Sequence, residues 1–220
     1  MAIAQRLQQI KLQLPQHVTL VAVSKTKPVP DLMEAYNAGQ RIFGENKIQE
    51  MAEKHEALPK DVQWHMIGHV QRNKVKYMAG FVSLIHGVDN FKLLEEINKQ
   101  AKKHNRTINC LLQIKIAEED SKFGITETEA KTIISSEAFL KLNHICVVGL
   151  MGMATFTDNE TQIKTEFTQL KTCYNSLKPL QNKNFKPEII SMGMSSDYKL
   201  AIACGSTMVR VGSSIFGERY

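Results

Sequence analysis

"VTLVAVSKTKPVPDLMEAYNAGQRIFGEN", residues 18–46, holds an apolar run, a break at lysine and proline, a helical stretch and a second apolar run. The first run, "VTLVAVS" (18–24), is apolar throughout rather than alternating, as expected of a parallel strand covered on both faces. Pro28 to Glu34 reads as the entry to a helix, whose Leu32, Ala35 and Tyr36 fall on one face. "RIFGEN" (41–46) supplies the second strand. Lys25 stands where the first run ends, a position that stability alone does not explain.

The same unit recurs along the chain. Further apolar runs are "VQWHMIG" (62–68), "FVSLIHGV" (81–88), "INCLLQIKI" (108–116), "HICVVGLMGM" (144–153), "PEIISMG" (187–193) and "TMVRVGSSIFG" (207–217). Between them, Leu93, Leu94 and Ile97 share a helical face, as do Ile163, Phe167, Leu170 and Tyr174. Thr126 with Glu129 three residues later is a capping-box signature, and Ile3, Leu7, Ile10 and Leu14 give the amino terminus an amphipathic rhythm. Eight buried strands separated by helices, with no linker or low-complexity tract, predict one domain over 1–220: an α/β chain folded as a single closed (β/α)8 barrel, the TIM-barrel architecture. An open doubly wound sheet would carry a glycine-rich turn after its first strand, and "SKTKP" is no such turn.

The bulk properties narrow the function classes. With 43% apolar residues, 23% charged residues and a net charge of +6, the chain reads as a folded protein with mild attraction for anions. Its basic residues are scattered through "KHEALPK", "NKQAKKHNR" and "NKNFK", a solvated surface rather than a nucleic-acid stripe. The four cysteines show no CxxC spacing, and Cys110, Cys146 and Cys204 lie among apolar or small residues, which suits a reducing compartment. No run approaches the roughly 20 apolar residues of a membrane helix, and the amino terminus lacks a signal-peptide h-region. The expectation is a cytoplasmic protein with no membrane or nucleic-acid partner. No long exposed apolar segment demands a dimer, so a monomer is expected.

In such a barrel the chemistry sits at the carboxyl ends of the strands, here Lys25, Asn46, His69, Ser191 to Ser195 and Arg210 to Ser214. "SMGMSSD" (191–197) and "VRVGSSIFG" (209–217) offer glycines, hydroxyls and helix-start amides after strands seven and eight, where this fold often builds a phosphate site. Ser191, Gly193, Gly212 and Ser213 are the expected donors. Arg210, inside "MVRVG", needs an acceptor if buried, either a ligand or an interior carboxylate such as Glu45. A lysine facing a phosphate cup in a partly desolvated, cationic setting has a lowered pKa and can form a Schiff base. Lysine, arginine and phosphate cup together are what pyridoxal 5′-phosphate (PLP) demands. An arginine on the ring nitrogen leaves that nitrogen unprotonated, which weakens the ring as an electron sink. Asn46 is either a contact to a ring substituent or a helix N-cap for 47–57. His65 and His69 are four apart, but the segment crosses a strand end at Gly68 and no second ligand cluster completes a metal site. Trp64 and Met66 read as packing residues.

"VAVSKTKP", "FGEN", "WHMIGHVQRNK", "SMGMSSD" and "GSTMVRVGSSIFG" resemble, in order and spacing and over nearly the whole chain, the PLP homeostasis proteins (the YggS/PROSC family). The resemblance implies a barrel like the N-terminal domain of alanine racemase, with PLP held as a Schiff base on Lys25. It implies the phosphate on Ser191, Gly212 and Ser213, Arg210 facing the ring nitrogen and Asn46 beside the cofactor. The expected cofactor-binding set is thus Lys25, Asn46, Ser191, Met192, Gly193, Arg210, Gly212 and Ser213, with no catalytic and no metal-ligating residue. Lys115 stands where relatives often have asparagine, and Ser213 and Ser214 where threonine and alanine are common. Ser213 keeps the hydroxyl.

The resemblance further implies a non-catalytic protein that buffers or delivers PLP, affects amino-acid and keto-acid pools and has apo PLP-dependent enzymes as acceptors. The racemases it resembles carry a β-rich second domain with a tyrosine base. This chain ends at Tyr220, directly after strand eight. The alternatives are a weak PLP-dependent amino-acid racemase or related enzyme, and a barrel binding another phosphorylated metabolite.

Overall fold

The computed structural model describes residues 2–118 and 123–218, so Tyr220 lies outside the described residues. The strands are β1 (Thr19–Val23), β2 (Ile42–Glu45), β3 (Gln63–Met66), β4 (Leu84–Val88), β5 (Ile108–Gln113), β6 (Ile145–Met151), β7 (Phe185–Ser191) and β8 (Met208–Val211). They are parallel and close in sequence order, β8 returning to β1 with Val21 opposite Arg210. The closed (β/α)8 barrel expected from the apolar runs is the fold observed.

Helices alternate with the strands: α1 (Ile3–Gln13), α2 (Val29–Asn37), α3 (Ile48–Ala57), α4 (Phe91–Lys103), α5 (Glu127–Ser135), α6 (Glu137–Leu140), α7 (Glu160–Leu177), α8 (Tyr198–Ala203) and α9 (Ser213–Phe216). Short 3₁₀ turns occupy Arg72–Tyr77 and Lys178–Leu180. Thr126 and Glu129 make the reciprocal capping box at the start of α5 that their spacing predicts. "TMVRVGSSIFG" is not one strand: β8 stops at Val211, and Gly212 turns the chain into α9.

Strand parity sorts the side chains into two layers. Outward residues such as Phe43, Trp64, Leu112 and Ile190 join the helices in the large core that contains Phe139 and Phe167. Inward residues Val21, Leu84, Leu111, Met151 and Met208 form a small apolar cluster inside the barrel. Toward the carboxyl ends the inward positions turn polar, with His65, His86, Gln113, Ser191 and Arg210 all buried. That change of character puts a polar floor beneath the mouth of the barrel. No described helix is long and apolar enough to cross a membrane.

Candidate functional site

A cavity of about 660 Å³ opens at the carboxyl ends of the strands. Lys25 and Lys27 border it on the β1 side, Asn46 after β2, and Gly68 and His69 after β3. Gln113 reaches it from β5, and Arg210, Gly212 and Ser213 from the end of β8. Phe123 and Phe156 line it and are largely solvent-exposed, with His69 stacked on Phe123 at a ring separation of 4.3 Å. Gly68 permits the close approach of the β2 and β3 ends, since a Cβ there would lie 2.5 Å from the Asn46 carbonyl oxygen.

Lys25 stands in a short turn held from outside the cavity. The Ser24 N–H donates to the Gly44 carbonyl (3.0 Å), and the Ser24 hydroxyl donates to Glu45 Oε1 (2.6 Å). The Ser24 carbonyl accepts from Lys54 Nζ (2.7 Å), and the Thr26 N–H donates to Glu50 Oε1 (2.5 Å). Lys54 Nζ also donates to Glu45 (2.8 Å) and Glu50 (2.7 Å), so its three hydrogens meet three acceptors. Burial raises the Glu45 carboxyl above its usual range, against the opposing hydrogen bonds from Lys54 and Ser24. Thr26 has φ of 63°, a left-handed conformation uncommon outside glycine and asparagine.

The floor is a directed hydrogen-bond chain. Arg210 Nη1 donates to the Ser191 carbonyl (2.9 Å) and hydroxyl (2.6 Å), and Nη2 donates to the Gly152 carbonyl (3.1 Å). His86 Nδ1 lies 3.0 Å from Ser191 Oγ, and His86 Nε2 lies 3.1 Å from His65 Nδ1. A guanidinium only donates, so the order that leaves the buried Ser191 hydrogen paired is Arg210 to Ser191 to His86 to His65. Both imidazoles then carry the proton on Nε2. Burial pushes His65 down to about 3 and holds His86 well below its usual value, so both are neutral. Burial lowers Arg210 to about 10, with Asp197 acting in the opposite sense, which leaves it charged at neutral pH.

Two turns rich in serine and glycine face each other beside Arg210. Ser195 and Ser196 line the cavity from the turn before α8, and Gly212, Ser213 and Ser214 from the turn into α9. The Gly212 N–H donates to Ser195 Oγ (3.1 Å), tying the turns together. Asp197 Oδ1 accepts from the Met194 N–H (2.6 Å) and fixes the first turn. The opening amides of a helix have no partner within the helix, so such turns suit an anion.

Of the eight expected residues, Lys25, Asn46, Arg210, Gly212 and Ser213 line the cavity, whereas Ser191, Met192 and Gly193 do not. The Ser191 hydroxyl is engaged by Arg210 and His86 below the floor, and Met192 belongs to the outer core. Gly193 (φ 97°) makes its close approach to α8, where an added Cβ would lie 2.6 Å from the Ala201 Cβ. The lining after β7 starts one residue later, at Met194. Asn46 does not cap α3, whose N-cap is Lys47. Arg210 does not meet Glu45, whose carboxylate is taken by Ser24 and Lys54. Lys115 is exposed and outside the lining, and Gln113 is the β5 residue in the wall. His86 escaped the sequence reading; its signal was a lone imidazole in an otherwise apolar strand.

A primary amine at the mouth of a parallel barrel, an arginine in its floor and two facing serine–glycine turns define an α/β barrel built for a small anionic ligand. The family model described as "Alanine racemase, N-terminal domain" matches residues 1–220. The pyridoxal phosphate homeostasis protein of Pasteurella multocida is 40% identical over 205 residues, 92% of this chain and 87% of that one. That of Schizosaccharomyces pombe is 40% identical over 208 residues, covering 92% and 85% respectively. The chain belongs to the pyridoxal phosphate homeostasis protein family. Among solved structures, PipY of Synechococcus elongatus PCC7942 without PLP has a TM-score of 0.91 at 35% identity, covering 98% of this chain and all of that one. The PLP-bound form of PipY gives 0.88 at 34%, covering 98% of this chain and 100% of that one. Alanine racemase of E. faecalis shares the fold, with a TM-score of 0.71 at 16% identity over 99% of this chain and 58% of its own.

Proposed function

We propose that the cavity binds pyridoxal 5′-phosphate and that this chain, as a single barrel domain over 1–220, buffers or delivers the cofactor in the cytoplasm without turning over a substrate. The observation that carries the reading is the convergence of Lys25, Arg210 and the serine–glycine turns on one cavity. The donor set fits the cofactor: an amine for the aldehyde, amides and hydroxyls for the phosphate, and a fixed cation in the floor. PLP, when bound, supplies an aldehyde that condenses with a primary amine. Lys25 is the residue assigned to hold it, Ser195, Gly212, Ser213 and Ser214 to receive the phosphate, and Asn46 to flank the ring.

The relatives' name and the PLP-bound PipY support this reading. The non-catalytic part rests on Arg210. Its Nη1 and Nη2 donate to Ser191 and Gly152, so the floor holds a fixed cation where a strong electron sink would need a carboxylate. Among the described lining residues the one imidazole is His69, whose Nδ1 lies 3.4 Å from Asp89. Apo PLP-dependent enzymes are the acceptors proposed, with no nucleic-acid or membrane partner and a monomer as the working unit.

Protein incubated with PLP is expected to turn yellow, and borohydride to fix one cofactor on the peptide that contains Lys25. Lys25→Ala should abolish that fixed adduct. Colourless wild-type protein, or an adduct that persists in Lys25→Ala, overturns the assignment. Chiral analysis of an amino-acid panel should show no turnover above free PLP; turnover that depends on Lys25 would move the protein among the enzymes.

A further inference from the structure

We propose that Glu45, Glu50 and Lys54 form a positioning clamp that fixes the two peptide groups flanking Lys25 and thereby sets how readily its amine meets an aldehyde at the cavity mouth. The inference rests on the reading of Lys25 as the amine that holds the cofactor. The peptide before Lys25 is caught by its carbonyl, which accepts from Lys54 Nζ at 2.7 Å. The peptide after it is caught by the Thr26 N–H, which donates to Glu50 Oε1 at 2.5 Å. Ser24 itself uses its N–H, carbonyl and hydroxyl, the last two on Lys54 and Glu45. The root of the Lys25 side chain is therefore held from both sides, and Thr26 is kept left-handed at φ 63°.

The cost of the arrangement argues for a purpose beyond stability. Ser24 and Glu45 are fully buried and Lys54 is 5% exposed. One ammonium serves two carboxylates, and Glu45 Oε2 is a buried acceptor with no hydrogen-bond partner among the described residues. An apolar cluster of similar volume would hold β1, β2 and α3 together at least as well. What an apolar cluster lacks is directional bonds to the two peptides beside Lys25. A lysine amine rides on a flexible four-carbon stem, so fixing the stem's root narrows the volume the amine explores. Proximity of this kind acts on rate: a misplacement of about 1 Å can cost on the order of 100-fold. In the step affected, the Lys25 nitrogen bonds to the aldehyde carbon, the carbon–oxygen double bond is lost, and the oxygen leaves as water with both amine hydrogens.

Glu50 is the point to probe, since its side chain is 22% exposed and Lys54 keeps Glu45 when it is removed. In Glu50→Ala, borohydride-fixable PLP adduct should form about tenfold more slowly. Glu50→Gln, which keeps an acceptor for the Thr26 N–H, should stay within about twofold of wild type. Pyridoxine 5′-phosphate, which has the ring and phosphate but an alcohol for the aldehyde, should bind all these proteins within about twofold. In ligand-free Glu50→Ala the Thr26 amide should exchange with deuterium at least about tenfold faster. Wild-type adduct kinetics in Glu50→Ala, or a loss of pyridoxine 5′-phosphate affinity equal to the loss for PLP, overturns the clamp. An adduct absent from Lys25→Ala but unimpaired in Glu50→Ala sinks the clamp alone, whereas an adduct that survives in Lys25→Ala sinks the parent reading with it.

Discussion

Lys54→Met is expected to lose about 3–5 kcal/mol of folding stability at pH 7. Methionine keeps most of the stem's volume but removes the donor shared by Ser24, Glu45 and Glu50. Glu45 is then left with the Ser24 hydroxyl as its hydrogen-bond donor, and its Oε2 already lacks a partner among the described residues. The cheapest relief is for Glu45 to take up a proton, because burial already raises its carboxyl above the ordinary 4.5. Holding that proton at pH 7 costs about 1.4 kcal/mol for each pH unit above 4.5, or roughly 3.4 kcal/mol. The sign follows: folded Glu45 binds a proton that the unfolded chain does not, so the penalty grows as pH rises and shrinks as it falls. Urea unfolding at pH 7 and pH 5 should show the loss reduced by about 2–3 kcal/mol at the lower pH. Lys54→Met with Glu45→Gln should recover much of it at pH 7. An equal loss at both pH values would trace the damage to packing instead.

Below pH 6.5 the two floor histidines should make the fold acid-sensitive. Folded His65 and His86 stay neutral, His65 pushed down to about 3, while the unfolded chain protonates them near 6.5. The unfolded state therefore binds the extra protons in this window, and stability falls with pH by about 1.4 kcal/mol per unit for each histidine. Above 6.5 both states are neutral and the contribution is flat. Glu45 and Asp197 act the other way, because burial raises both and the folded state takes up their protons first. Comparing wild type with His86→Gln between pH 6 and 5 cancels those carboxyls. The slope of unfolding free energy against pH should drop by about 1.4 kcal/mol per unit in the variant. An unchanged slope would show that His86 titrates normally in the folded protein.

The barrel was legible because parallel strands covered on both faces are largely apolar throughout, and "VTLVAVS" or "HICVVGLMGM" does not alternate as a half-exposed strand would. Lys25 was legible for the converse reason, as a charge where such a run stops. Of the donors expected after β7, Ser191 and Gly193 lie outside the cavity lining, which starts at Met194. Ser191 still belongs to the strand, and its inward side chain meets Arg210 from the neighbouring β8. No local pattern announces which of two serine-bearing positions a distant arginine will occupy. The clamp was invisible for the same reason: Glu45 reads as an interior carboxylate that could serve Arg210, and nothing local ties Glu50 or Lys54 to Lys25 until β2 and α3 bring them to its turn. His86 shows its role only once β4 is set between His65 and Ser191.

Arg210 also limits what this scaffold can become. Its guanidinium satisfies the carbonyl oxygens of Gly152 and Ser191 and the Ser191 hydroxyl, joining the ends of β6, β7 and β8. An engineer seeking an acidic ring partner would begin with Arg210→Glu, which puts a carboxylate against the Gly152 carbonyl, stripped of its Arg210 donor, and the Ser191 carbonyl, which keeps the Gly152 N–H (3.1 Å). The route to such an enzyme therefore runs through coordinated changes at Gly152, Ser191, His86 and Arg210, since Arg210→Glu alone sets a buried carboxylate against carbonyl oxygens.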